Sequence, residues 1–116
     1  MRKYLFIISF SALLAINTAF AYECKPTYWN ACSDGDCESG VGDMTIYFSE
    51  SEQVVSRCDK KGCTTLKVEV ARSGVMLKAA SATNSYLLVI NTVDLKFTEI
   101  ATLLTTAYVK SGSCAQ

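Results

Sequence analysis

Along most of the chain the apolar positions recur with a period of two. Met44, Ile46 and Phe48 alternate with Thr45, Tyr47 and Ser49, and Leu66, Val68 and Val70 alternate with Thr65, Lys67 and Glu69. Val75, Leu77 and Ala79 alternate in the same way with Met76, Lys78 and Ala80. Successive side chains of a strand point to opposite faces, so this pattern predicts half-buried β-strands. Residues 85–93 are rich in β-branched and aromatic side chains, and 95–103 and 104–109 continue in that manner. Turn-forming residues punctuate the runs at Ser73-Gly74, between Ser81 and Asn84, and at Ser111-Gly112. Phe97, Ile100, Ala101, Leu104 and Tyr108 also fit one helical face, but the intervening Thr98, Thr102, Thr105 and Thr106 favour strand.

The expectation is therefore an all-β domain, a meander of about six to eight short strands. Its apolar face has no helix to cover it, which leaves two solutions: a small closed antiparallel barrel, preferred here, or a two-sheet sandwich. Residues 22–42 differ. They hold three cysteines, polar turn residues and Tyr28-Trp29 with little alternation, and read as a stapled loop region of the same domain. With no internal repeat and a single proline, Pro26, residues 22–116 form one domain.

The first 21 residues have another character. Arg2 and Lys3 precede an apolar run over 4–16, broken only by Ser9 and Ser11, which ends in Asn17, Thr18 and Ala19-Phe20-Ala21. Basic start, apolar middle and small-residue end are the three parts of a secretory signal peptide, expected to be cleaved after Ala21. A spanning helix needs roughly 20 apolar residues, more than this run supplies. The product is expected to be periplasmic or secreted, with no membrane span after cleavage. Losing Arg2 and Lys3 leaves nine basic residues against eleven acidic ones, a net charge of −2. That balance offers no basic footprint for nucleic acid.

All six cysteines lie beyond residue 21, at 24, 32, 37, 58, 63 and 114. An even number in a short exported chain reads as a disulfide framework. Zinc is the competing use, but the chain has no histidine and C-x4-C is not a usual zinc spacing. Cys58 and Cys63 flank Asp59-Lys60-Lys61-Gly62, a segment suited to a four-residue hairpin loop, so these two are expected to pair. Cys114 must reach back to Cys24, Cys32 or Cys37.

Chemistry is sparse. The absence of histidine removes the commonest general base and the usual triads. Asp34, Asp36 and Glu38 form the one dense carboxylate cluster. Against a calcium-loop pattern Asn30, Cys32, Asp34 and Gly35 fall at positions one, three, five and six, but Val41 stands where a bidentate glutamate is required. The bland reading of these acids is a solvated turn between Cys32 and Cys37. No C-x-x-C redox motif and no phosphate-binding glycine loop occurs, so no cofactor, no metal and no enzyme activity is expected. Tyr28 and Trp29 are the candidate contact residues for a partner, since large aromatics dominate interface energetics. The alternative for Trp29 is burial at one end of the barrel, packed on a disulfide.

Tyr22-Glu23-Cys24 at the start of the domain and Gly112-Ser113-Cys114 at its end resemble the layout of small cysteine-rich exported bacterial proteins of unknown role. In outline the chain is also similar to the periplasmic and membrane-bound inhibitors of C-type lysozyme, which are small β-barrels with a disulfide near the termini. Ser73-Gly74-Val75-Met76-Leu77 stands where that family has an inhibitory Ser-Gly-x-Lys-Tyr-type segment, and keeps its Ser-Gly without the lysine or tyrosine. The resemblance implies a barrel and inhibition of a hydrolase. Taken together the sequence points to a non-enzymatic domain that binds a protein in the envelope or outside the cell, with a small-ligand carrier as the rival.

Overall fold

The computed structural model describes residues 22–103 and 105–116, so the expected signal peptide at 1–21 lies outside the described residues. The described chain is all strand and turn: β1 (Tyr22–Ser33), β2 (Asp36–Val41), β3 (Thr45–Ser49), β4 (Val54–Asp59), β5 (Gly62–Lys67), β6 (Glu69–Ser73), β7 (Met76–Ser81), β8 (Tyr86–Asn91), β9 (Lys96–Leu103) and β10 (Thr106–Ala115). All pair antiparallel in one sheet of order β5-β4-β3-β1-β10-β9-β8-β7-β6, with β2 added on β1. Of the stretch 97–108, ambiguous between helix and strand, residues 97–103 lie in β9 and 106–108 in β10.

The ends of that sheet are neighbours in sequence. Only Val68 separates β5 from β6, and its amide donates to the Gln53 carbonyl at 3.0 Å. One bent strand thus serves two partners, β4 with its first half and β7 with its second, and the sheet curls into a nearly closed barrel. Arg72 on β6 makes a bidentate contact to Glu50 in the β3–β4 turn, at 2.8 and 2.9 Å, across the seam.

The alternation read from the sequence is the inside and outside of this barrel. Ile46, Phe48, Val55, Leu77, Leu88, Ile90 and Phe97 are buried together with Tyr22, and the Tyr22 and Phe48 rings stack at 6.1 Å. Fully burying one such aliphatic or aromatic side chain contributes about 1.5–3 kcal/mol. These side chains occupy the lower interior of the barrel.

Residues 22–42 are ordered as strand, where the sequence suggested a stapled loop. Asp34 and Gly35, with φ of 49° and 86°, form a two-residue turn between Ser33 and Asp36. Positive φ at both central positions is what a tight hairpin with the native twist requires, and Asp-Gly supplies it. The apolar alternation was missing because β2 is solvated over nearly its whole length.

All three disulfides join residues that face each other across an antiparallel pair. Cys58 and Cys63 are bonded as expected, though the loop between them is tighter: Asp59 still pairs with Gly62, leaving Lys60-Lys61 as the turn. Cys32–Cys37 repeats that device behind Asp34-Gly35, and Cys114 reaches back to Cys24 on β1. Cys37 and Cys63 are exposed, whereas Cys24 and Cys114 are buried in the core.

β1 changes role half-way along. Tyr22 to Cys24 pair with β3, but from Tyr28 onward β1 pairs with β2, while β10 follows it throughout. A β-bulge between Pro26 and Tyr28 separates the halves. The bulge sits opposite Gly112, where an added Cβ would meet the Lys25 carbonyl oxygen and lie 2.8 Å from Pro26 Cα and Thr27 N. No side chain fits there. Above the bulge, β9 continues past its last pair with β8, Tyr86 with Ala101, and stays paired with β10 to Leu103.

A charged floor and an aromatic rim at the barrel mouth

The inward positions of the upper barrel are not apolar. Arg57 of β4, Tyr86 of β8, Glu99 of β9, and Tyr108 and Lys110 of β10 carry the same inward parity as the core residues below them: Tyr86 is paired with Ala101, Leu88 with Glu99, and Lys110 with Glu99. Glu99 is buried, with 1% of its surface exposed. Its Oε2 accepts from Arg57 Nε at 2.8 Å and from the Tyr86 hydroxyl at 2.5 Å, and its Oε1 accepts from Arg57 Nη2 at 3.1 Å. Lys110 Nζ approaches the same Oε1 at 3.9 Å. The carboxylate is enclosed by donors, the condition under which a buried charge is tolerated.

The environment shifts the partners. Burial pulls Arg57 down, but the hydrogen bonds and charge of Glu99 outweigh it and the guanidinium is held above its ordinary value. Burial, and then the charge of Glu99, push the Tyr86 hydroxyl well above the usual phenol range. Lys110 is lowered, first by burial and then by the positive charge of Arg57, against the pull of Glu99. Two cations share one carboxylate, so the floor carries a surplus positive charge. Rings flank both: Arg57 lies 5.8 Å from the Tyr86 centroid and Lys110 lies 5.5 Å from that of Tyr108.

Three recesses open around this floor. One of about 340 Å³ is lined by Arg57, Leu66, Asn84, Tyr86, Thr102 and Lys110, among others. Another of about 250 Å³ lies between Trp29, Met44, Tyr108, Lys110 and the acids Asp43 and Asp59. A third, also about 250 Å³, continues past Met44, Arg57 and Asp59 to Lys61. Because they share walls, they make one composite concavity at the mouth. No family model, curated protein or solved structure matches this chain.

The sequence candidates fall in three places. Trp29 is half-buried on the rim of the mouth, its indole lying across Gly40, where an added Cβ would come within 2.8 Å of the ring. Tyr28 faces the other way, 49% exposed and paired with Val41, itself 82% exposed. Adjacent strand residues cannot share a face. Asp34, Asp36 and Glu38 are exposed on the tip of the β1–β2 hairpin and its second strand. Among the described residues no group of three histidine, cysteine or carboxylate side chains is placed to hold a metal ion.

The reading of the sequence missed Arg57, Tyr86, Glu99, Tyr108 and Lys110. A signal was present: Phe97-x-Glu99-x-Ala101 and Val55-x-Arg57 each put a charge on the apolar parity of a strand. No helix of the described residues is long and apolar enough to cross a membrane.

Proposed function

We propose that this is an exported, non-catalytic, disulfide-stapled domain that binds a protein partner of the envelope or extracellular space through the mouth of its barrel. The observation that carries the reading is the composite concavity itself: half-buried Trp29 and Tyr108 on the rim over a charged floor of Arg57, Glu99 and Lys110. Concave sites with aromatic walls and a few convergent polar groups are where ligands and partner anchors bind. The lower interior is taken up by packed side chains, which favours engagement at the mouth over a ligand carried within the barrel. Three disulfides and a net charge of −2 after loss of residues 1–21 suit an oxidising compartment and a partner other than nucleic acid.

The test is affinity capture from envelope and culture fractions, run side by side with the wild-type protein and with Trp29→Ala/Tyr108→Ala. A partner recovered by the wild type and lost with the variant supports the reading. A partner held equally by both places the contact elsewhere, and an empty capture counts against a protein partner.

A second reading, a hydrolase inhibitor of the lysozyme-inhibitor kind, would use the opposite end. There Ser73-Gly74-Val75 makes the exposed β6–β7 turn, with Gly74 at φ 63° and the Val75 carbonyl accepting from the Thr92 amide and hydroxyl at 2.9 and 2.8 Å. A protruding, braced turn is the form an inhibitory segment takes. Dose-dependent loss of C-type lysozyme activity supports this reading, and full activity at large molar excess removes it.

A further inference from the structure

Within the mouth, the recess between β4, β8, β9 and β10 differs from its neighbours in having no carboxylate on its surface. Asp43 and Asp59 line the adjoining recesses, but here the lining holds two cations, Arg57 and Lys110, with Asn84, Thr102 and two tyrosines. Glu99 lies beneath the floor, 1% exposed, its oxygens facing Arg57, Tyr86 and Lys110, while Asp59 acts on Arg57 from the adjoining recess.

The donors left over are on the ligand side. Arg57 commits Nε and Nη2 to Glu99, and Nη2 also lies 3.9 Å from Met44 Sδ, so Nη1 makes no hydrogen bond among the described residues. Lys110 Nζ makes none either; its contacts are the ion pair at 3.9 Å and the Tyr108 ring. Among the described residues no buried side-chain nitrogen or oxygen lacks a partner, so these free donors are accessible, and the recess is the one that both cations line. Both cations reach the same oxygen, Glu99 Oε1, at 3.1 and 3.9 Å, close enough together for one further carboxylate to contact both. An incoming anion would complete the neutralisation that Glu99 leaves half done.

Resting on the mouth as the binding face, we propose that this recess is a carboxylate-binding site, with Lys110 Nζ and Arg57 Nη1 as donors and the Tyr108 ring covering the apolar part of the ligand. The carboxylate belongs either to a free organic acid or to an acidic side chain of a protein partner. Its chemistry is the same in both.

The probe is benzoate, with benzamide as its neutral isostere. The full chain is expressed, and the oxidised product is titrated while following Trp29, the only tryptophan of the sequence, by fluorescence and the backbone amides by NMR. The expected result is saturable binding of benzoate with shifts centred on Tyr108, Lys110 and Thr102, and at least tenfold weaker binding of benzamide. Lys110→Met keeps the aliphatic stem and should weaken benzoate at least tenfold, Lys110→Arg should retain it, and Lys78→Met at an exposed position of β7, away from the mouth, should leave it unchanged. Equal binding of benzamide, an unaffected Lys110→Met protein, or no saturable shift would each overturn the proposal. A partner captured through Trp29 and Tyr108 while benzoate fails to bind would refute the carboxylate and leave the mouth standing. Displacement of that partner by benzoate identifies a protein-borne carboxylate; benzoate binding without displacement identifies a free acid.

Discussion

Replacing Glu99 by glutamine tests whether the charged floor is a buried ion cluster or a set of solvent-screened surface charges. The amide keeps the shape of the side chain and one acceptor, but turns the other oxygen into a donor facing Arg57 or the Tyr86 hydroxyl. It also leaves Arg57 and Lys110, whose side chains are only 23% and 15% exposed, with no anion between them. Removing one member of a buried pair costs about 3–5 kcal/mol, against about 0–1 kcal/mol for a surface pair. In a domain of this size each 1 kcal/mol moves the midpoint by about 4–8 °C, so Glu99→Gln should lower the Tm of the oxidised protein by at least about 12 °C. The triple variant Arg57→Met/Glu99→Met/Lys110→Met removes all three charges and should recover most of the loss, because a well-packed apolar replacement of a buried ion cluster is about neutral. Thermal melts by circular dichroism at low and high salt complete the assay. Burial requires a loss that salt does not diminish. A Glu99→Gln loss below about 1 kcal/mol, or one that vanishes in salt, would refute the buried cluster.

The disulfides should be unequal. In the chain-entropy picture the bond spanning 90 residues between Cys24 and Cys114 contributes about 4.6 kcal/mol, and each bond spanning five contributes about 2.1 kcal/mol. Urea unfolding of Cys24→Ala/Cys114→Ala should therefore show roughly twice the loss of Cys32→Ala/Cys37→Ala, and similar losses would contradict that picture. Gly112→Ala drives a Cβ into the backbone of Lys25–Thr27 and should cost about 1–3 kcal/mol, read from the same curves. Tyr86 has its folded pKa raised above the ordinary value of 10.0, so its contribution is present below pH 10.0 and is lost as pH rises through the folded value. Stability should fall more steeply above pH 10.0 in the wild type than in Tyr86→Phe; parallel curves would rule this out.

The barrel was legible because its lower half obeys one rule, apolar in and polar out. Ile46, Phe48, Leu77 and Ala79 all lie where the period-two pattern put them. The Cys58–Cys63 pair was legible from its turn, whereas for Cys114 only a bond back to Cys24, Cys32 or Cys37 was, and the structure selects Cys24. Cys32–Cys37 and the β1–β2 hairpin were not, although Asp34-Gly35 is a strong hairpin signal, because a solvated strand such as Asp36–Val41 carries no apolar alternation to mark it. The floor of the mouth was hidden for a related reason. A charge at an inward position reads as a broken pattern until its partner is known, and Arg57 and Glu99 are 42 residues apart. Sequence reasoning therefore looked for chemistry where acidic residues cluster along the chain, at Asp34, Asp36 and Glu38, while the sheet assembled it from four separate strands.

The bulge at Thr27 acts as a phase shifter between two readings of β1. Below it even-numbered residues, Tyr22, Cys24 and Pro26, belong to the interior; above it the odd-numbered Trp29 does. The same strand therefore answers to two independent sets of constraints, packing at one end and recognition at the other. Deleting Thr27 would turn the bulge into regular alternation, with Tyr28 still opposite Ser111 and Trp29 still opposite Lys110, so the bulge takes up one extra residue without changing which side chain reaches the rim. What the extra residue supplies is a local bend and added twist in β1, at the point along the strand where packing gives way to recognition.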